Sequence, residues 1–196
     1  MAVFITGGAR SGKSSFAEQY AMKVATKGIY IATCQPFDEE LEQRISKHKL
    51  NRRDSGFQWT TIEEPYDVAE RLEQIVGEQS ASEAQGMDLP VILLDCLTLW
   101  LTNWLIRLDD NETKQSSLGI EIAKLLKSIQ SCPFPLIIVS NEVGDGIVPA
   151  YPLGRIFRDE AGRLNQQVAA ICERAFLVTA GIPIELKAIA FSWEQL

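Results

Sequence analysis

The sequence predicts an α/β fold, a mostly parallel β-sheet with helices on both faces. Short apolar runs recur along the 196 residues. Most are apolar throughout rather than alternating, the pattern of strands buried on both sides. Segments with helical spacing separate them, so strands and helices alternate. The first apolar run leads straight into a glycine-rich turn and then a helix, an order that presents backbone N–H groups to an anion.

Ala2 to Thr6 (AVFIT) reads as the first strand. Lys13 to Thr26 reads as a helix with Phe16, Tyr20 and Val24 on one face, and Gly28 is expected to end it. Ile29 to Thr33 reads as a strand, and Asp38 to Arg53 as a charged helix with Leu41 and Ile45 on its inner stripe. Phe57 to Ile62 reads as a strand, and Tyr66 to Val76 as an amphipathic helix carrying Val68, Leu72 and Ile75. The small polar stretch Glu78 to Asp88 is expected to be a surface loop. Val91 to Asp95 (VILLD) reads as a buried strand, and Leu97 to Leu108 is helical by length. Ser116 to Gln130 is expected to form a helix with Ile120, Ala123, Leu126 and Lys127 along a stripe. Pro135 to Ser140 reads as a strand, Phe157 to Glu173 as a helix, and Ala175 to Val178 and Ile184 to Ile189 as the last strands. With no internal repeat and no linker, residues 1–196 are expected to form one domain.

A hydrophobic fraction of 46% is that of an ordinary globular protein. No apolar run has the length of a bilayer span. The opening MAVFITGGARSGKSS lacks the features of a secretory signal, so the chain is expected to be cytoplasmic with no membrane partner. A formal net charge of −7 argues against a nucleic-acid surface but not against a nucleotide site. Local cations dominate there, because two charges ~4 Å apart interact by about 4 kcal/mol at an effective dielectric of 20. Cys34, Cys96, Cys132 and Cys172 are far apart in sequence and make neither a zinc nor a disulfide framework.

The segment Gly7, Gly8, Ala9, Arg10, Ser11, Gly12, Lys13, Ser14 fits G-x-x-x-x-G-K-[ST] in full. Its glycines let backbone N–H groups close around phosphate oxygens, and the helix N-terminus adds positive potential. Lys13 is expected to contact the β- and γ-phosphates and the Ser14 hydroxyl to bind Mg²⁺. The alternative is a glycine-rich turn with no ligand. With this loop the predicted fold is that of a P-loop NTPase of the RecA-like kind. Asp95, ending VILLD, has two readings: a carboxylate that holds Mg²⁺ or its waters, or an N-cap for the next helix.

His48 is the only histidine. Arg44, His48 and Arg52 fall on one helical face, flanked by Lys47, Lys49 and Arg53. Such a row of cations can receive phosphates, or it can be a solvated basic face balanced by the acids upstream.

Several segments in order resemble the bifunctional adenosylcobinamide kinase / adenosylcobinamide-phosphate guanylyltransferase family of cobalamin biosynthesis. They are GGARSGKS, YIAT followed by D-x-E-L-x-x-R-I-x-x-H from Tyr30 to His48, WTTIEEP, LLDCLTLWLTN, SNEVGDGIVP, GRIFRDEAGRLNQQVAA and AGIPIELK. The resemblance implies two reactions. A nucleoside triphosphate, ATP or GTP, phosphorylates the aminopropanol hydroxyl of adenosylcobinamide. GTP then donates GMP to that phosphate through a GMP–histidine intermediate, a role that falls on His48. It also implies nucleotide contacts at Ala32, Thr33 and Cys34, at Lys49, Leu50, Asn51 and Arg52, and at Glu63 and Asp95. A homo-oligomer is implied as well. Asn141, Glu142, Arg155, Arg158, Asp159, Arg163 and Asn165 have two readings, a corrinoid site or subunit interface, and an internal network holding the last helix. The alternative is a single-activity P-loop kinase or guanylyltransferase in which one half-reaction has been lost; a GTP-dependent switch lacks support, since no N-K-x-D stretch is present.

Overall fold

The computed structural model describes residues 1–35, 46, 49–50, 52–83, 88–108 and 114–192, with the backbone alone for 80–83 and 114–116. The described strands are β1 (Ala2–Gly7), β2 (Lys27–Ala32), β3 (Gln58–Glu63), β4 (Val91–Asp95), β5 (Leu136–Asn141), β6 (Arg174–Thr179) and β7 (Ile182–Glu185). The described helices are α1 (Lys13–Val24), α2 (Val68–Glu83), α3 (Leu97–Arg107), α4 (Lys114–Ser131) and α5 (Pro152–Ile171). One sheet takes the order β3-β2-β4-β5-β1-β6-β7. Its pairs are parallel except β6 with β7, which close an antiparallel edge. The parallel strands end on one edge of the sheet, so Gly7, Ala32, Glu63, Asp95 and Asn141 share that edge. β5 lies between β1 and β4 and brings Asn141 between the glycine-rich loop and Asp95.

Alternate strand residues face opposite sides, and helices cover both. Val3, Ile5, Tyr30, Leu93, Ile137 and Val139 pack with Ala17 and Ala21 of α1. Phe4, Ile29, Ile31, Ile92, Leu94 and Ile138 pack with residues of the other four helices, among them Leu72, Leu101, Leu125 and Leu164. Each fully buried aliphatic side chain contributes about 1.5–3 kcal/mol. No described helix is long and apolar enough to cross a membrane.

Five local expectations are corrected. α1 does not bury Phe16, Tyr20 and Val24 as its inner stripe. It buries Lys13, Ala17 and Ala21 and leaves Val24 38% exposed. Small residues let this helix lie close on the sheet, while Phe16 and Tyr20 reach sideways to the Phe176 ring. Gly28 does not end α1. It lies within β2, where a Cβ would come within 2.5 Å of the Trp59 ring. The expected loop from Glu78 is helical through Glu83, because Glu, Gln, Ala and Ser continue a helix in the absence of Pro. α4 buries Leu118, Leu125 and Ile129, while Ile120 is 58% exposed. α5 also begins earlier than expected, with Pro152 in its first turn.

Candidate nucleotide site

The loop between β1 and α1 is shaped by its own backbone and by the β6–β7 turn. Gly12 has φ 94 and lies against Gly181, whose Cα would stand 3.2 Å from an added Cβ. Both the backbone angle and the close approach require glycine there. Gly181 N–H donates to Ser11 O at 2.9 Å and Glu142 N–H to Gly7 O at 3.0 Å, tying the loop to both neighbouring connections. Lys13 is buried, and its Nζ donates back to Gly8 O at 3.1 Å. The ammonium therefore lies over the loop, where a polyphosphate would meet it. Ser14 follows at the first turn of α1.

Asp95 ends β4 on the same edge. Cys96, not Asp95, occupies the cap position of α3, so the capping reading of Asp95 does not hold. The Asp95 carboxylate acts electrostatically on Glu18 of α1, and Lys13 acts on Cys96. With only β5 between β4 and β1, Asp95 stands at the same edge as the phosphate loop. Its Oδ2 accepts a hydrogen bond from the Tyr30 hydroxyl at 2.9 Å. The Arg52 guanidinium lies 3.7 Å from the centre of the Tyr30 ring and reaches Glu18 Oε1 at 3.5 Å. Arg52 is 4% exposed. Burial raises the Glu18 carboxyl above its ordinary range, with Arg52 pulling the other way. Burial, aided by Asp95, holds the Tyr30 phenol well above its ordinary value, so it stays a donor. Burial pushes the Cys96 thiol up to about 12.

A hydroxyl at Ser14 and a carboxylate at Asp95 are hard oxygen donors, and Mg²⁺ is commonly held by one or two such groups plus phosphates. The donor set fits that ion. Among the described residues no group of three or more His, Cys, Asp or Glu gathers to make a metal cage.

The connections after β2, β3 and β4 are fastened to one another. Thr33 is fully buried, and its hydroxyl donates to Cys96 O at 2.7 Å and accepts from Cys96 N–H at 2.9 Å. Its backbone N–H donates to Asp95 O and its carbonyl accepts from Asn103, so Thr33 is held wholly inside the fold and supports the site without a surface of its own for a nucleotide. Asn103 Nδ2 donates to Thr33 O and Pro65 O at 2.8 and 2.9 Å. Trp100 Nε1 donates to Tyr66 O at 2.7 Å. The LLDCLTLWLTN stretch therefore forms a floor under the edge. Ala32 O accepts from Glu64 N–H, and Cys34 Sγ donates to Gln35 O.

Beside β3 lies a cleft of about 550 Å³ lined by Lys49, Arg52, Arg53, Phe57, Trp59 and Thr61. Lys49 Nζ pairs with Glu63 Oε1 at 2.6 Å, and both are exposed. Leu50 is 55% exposed. Three cations and two aromatic rings give this cleft the means to hold a phosphate beside a flat base. His48 and Asn51 lie outside the described residues, as does most of the segment before them.

Of the polar groups near α5, Asn141 and Asn165 join the helix to the sheet, while Arg155, Arg163 and Glu142 make local contacts. Asn165 Nδ2 donates to Asn141 O at 3.1 Å, Asn141 Nδ2 to Thr98 Oγ1 at 2.7 Å, and Arg155 Nη1 to Ala150 O at 2.7 Å. Arg163 pairs with Glu160 one turn away, and Glu142 Oε1 accepts from Gly144 N–H. Tyr30, Glu18 and Asn103 were not singled out in the sequence. The available signal was a tyrosine between Ile29 and Ile31, since a buried phenol needs a partner.

Comparison with known proteins adds three kinds of likeness. Residues 3–186 match the family model described as cobinamide kinase / cobinamide phosphate guanyltransferase. The bifunctional adenosylcobalamin biosynthesis protein CobP of Pseudomonas aeruginosa is 42% identical over 183 residues, 93% of this chain and 95% of that protein. The corresponding CobU proteins of Escherichia coli K12 and Salmonella typhimurium LT2 are 35% and 37% identical. Each match covers 95% of this chain and all of the relative. Among solved structures, an ATPase of a bacterial type III secretion system superposes with a TM-score of 0.57 at 10% identity. That match covers all of this chain and 60% of the other. A Pyrococcus horikoshii protein, PH0250, superposes with a TM-score of 0.51 at 10% identity, covering 96% and 87%. The ATPase likeness agrees with the RecA-like P-loop fold expected from the sequence.

Proposed function

Because the chain belongs to the cobinamide kinase / cobinamide phosphate guanyltransferase family of bifunctional enzymes, we propose that it catalyses both reactions on adenosylcobinamide within one domain, residues 1–196. ATP or GTP phosphorylates the aminopropanol hydroxyl. GTP then gives GMP to the new phosphate, releasing pyrophosphate and forming adenosylcobinamide-GDP. The observation that carries this reading is the shared edge. The loop under Lys13 and the carboxylate of Asp95 lie on the edge where β3 also ends, and the cationic cleft flanks β3.

In this reading the backbone N–H groups of residues 7–14 and the Lys13 ammonium hold the polyphosphate in both reactions. Ser14 and Asp95 hold Mg²⁺, which when bound supplies positive charge against the leaving phosphates. In guanylyl transfer, the neutral His48 imidazole attacks the α-phosphorus of GTP. An N–P bond forms, and the P–O bond to pyrophosphate breaks with its electron pair on oxygen. A phosphate oxygen of adenosylcobinamide phosphate then attacks the same phosphorus, and the N–P pair returns to the ring. Lys49, Arg52 and Arg53 offset negative charge around this transfer.

The net charge of −7 supports a protein that does not bind nucleic acid. A cytoplasmic location, where both nucleotides are made, goes with this chemistry. The run Ile147, Val148, Tyr151, Leu153 and Ile156 is exposed, Ile147 by 97%, which supports a homo-oligomer. The test is incubation with α-labelled GTP followed by intact-protein mass spectrometry. A GMP adduct that is acid-labile, base-stable and lost in His48→Ala is expected. An undiminished adduct in His48→Ala would move the nucleophile to a neighbouring lysine.

A further inference from the structure

We propose that Tyr30 is a positioning residue, one side chain that fixes the Asp95 carboxylate with its hydroxyl and seats Arg52 on its ring. This rests on the reading of Asp95 as the carboxylate that holds the divalent cation. Tyr30 is 5% exposed and stands between Ile29 and Ile31 in β2. A phenol buried there without a partner would destabilise the fold, and phenylalanine would fill the same space. The hydroxyl instead points along the sheet to Asp95 Oδ2 at 2.9 Å. A donor on one carboxylate oxygen restricts rotation of the group and leaves its other oxygen for a further partner.

The ring has a second task. Arg52 stacks on it at 3.7 Å, and its Nε and Nη1 make no hydrogen bond among the described residues. Stacking on the ring and the ion pair to Glu18 therefore hold this buried cation in place. Arg52 lies four positions after His48. The support for the metal carboxylate and the support for the end of the histidine segment are thus the same side chain. Glu18 completes the link to α1, the helix that carries Lys13 and Ser14.

Tyr30→Phe separates the two tasks, since it keeps the ring and removes the hydroxyl. The measurement is Mn²⁺ binding followed by electron paramagnetic resonance in the presence of a non-hydrolysable GTP analogue. Partners of metal ligands typically contribute 10–100-fold in affinity, so Tyr30→Phe is expected to weaken Mn²⁺ binding by roughly 10-fold. Asp95→Asn should weaken it more, and the double variant should be no weaker than Asp95→Asn alone. Tyr30→Leu, which also removes the ring, should further raise the GTP concentration needed for half-maximal adduct formation. Wild-type Mn²⁺ affinity in Tyr30→Phe, with Asp95→Asn weakened, would overturn the positioning role and leave the reading of Asp95 standing. Full additivity in the double variant would also overturn it, because Tyr30 would then not act through Asp95. Unchanged affinity in Asp95→Asn would remove both.

Discussion

Replacing Arg52 with methionine is expected to expose how strongly Glu18 depends on its cation. Methionine keeps a long apolar stem over the Tyr30 ring but leaves the carboxylate, 15% exposed, without its partner at 3.5 Å. Burial already raises the Glu18 carboxyl above its ordinary value of 4.5, and Arg52 opposes that rise. Without Arg52 the folded-state value moves higher still. At pH 7 the protein can escape the buried charge by protonating Glu18. From the ordinary value of 4.5 this costs about 1.4 kcal/mol per pH unit, or about 3.4 kcal/mol. Broken buried pairs typically cost 3–5 kcal/mol, but protonation caps the cost and the wild-type carboxyl is already raised, so Arg52→Met should cost about 2–3 kcal/mol at pH 7. A group whose folded value is raised favours folding most below its unfolded value, and that advantage is lost as pH rises. At pH 5 protonation costs only about 0.7 kcal/mol, so the penalty should shrink to about 0.5 kcal/mol. Urea unfolding followed by tryptophan fluorescence at the two pH values measures this. Adding Glu18→Gln to the variant should recover most of the loss at pH 7. A penalty below about 1 kcal/mol at pH 7, or one that is flat between pH 5 and 7, would refute a buried and mutually dependent pair.

Lys13→Ala should abolish both phosphorylation and guanylyl transfer, since both need the polyphosphate held under the loop. Kinase turnover near wild type in that variant, measured by transfer of the γ-phosphate, would remove the loop from the site. A second expectation concerns alkaline stability. Burial pushes the Cys96 and Cys172 thiols from an ordinary value of 9.0 up to about 12. Both are raised, so their contribution is fully present below pH 9 and is lost as pH rises toward 12. Near pH 10 each should lower stability by about 1.4 kcal/mol relative to neutral pH. Replacing both with alanine should flatten this part of the urea-midpoint profile, whatever its effect at pH 7. An unchanged slope would place the alkaline sensitivity elsewhere.

The parts of this molecule that were legible in the sequence are those set by consecutive residues. GGARSGKS names its own geometry, because a left-handed Gly12, a returning lysine and a helix start are all properties of adjacent positions. VILLD and IYIA read as buried strands for the same reason. Helix faces were less legible where the distance to the sheet decides. Large apolar residues at helical spacing suggested Phe16 and Tyr20 for α1, yet a helix lying this close needs Ala17 and Ala21. Asp95 carried two readings until Cys96 was seen to hold the cap position. The Tyr30 to Asp95 bond spans 65 positions, and the Asn103 to Thr33 bond 70. Such contacts exist only once the order β3-β2-β4 places those strands side by side. No local pattern reports them.

The proposed function has one domain perform two reactions, of which only guanylyl transfer needs a covalent histidine. Direct phosphoryl transfer to a hydroxyl needs no such residue. The most direct measurement is therefore the product made by purified His48→Ala from adenosylcobinamide, ATP and GTP, resolved by mass spectrometry. Accumulation of adenosylcobinamide phosphate without adenosylcobinamide-GDP is the predicted result. Formation of adenosylcobinamide-GDP by that variant would contradict the account.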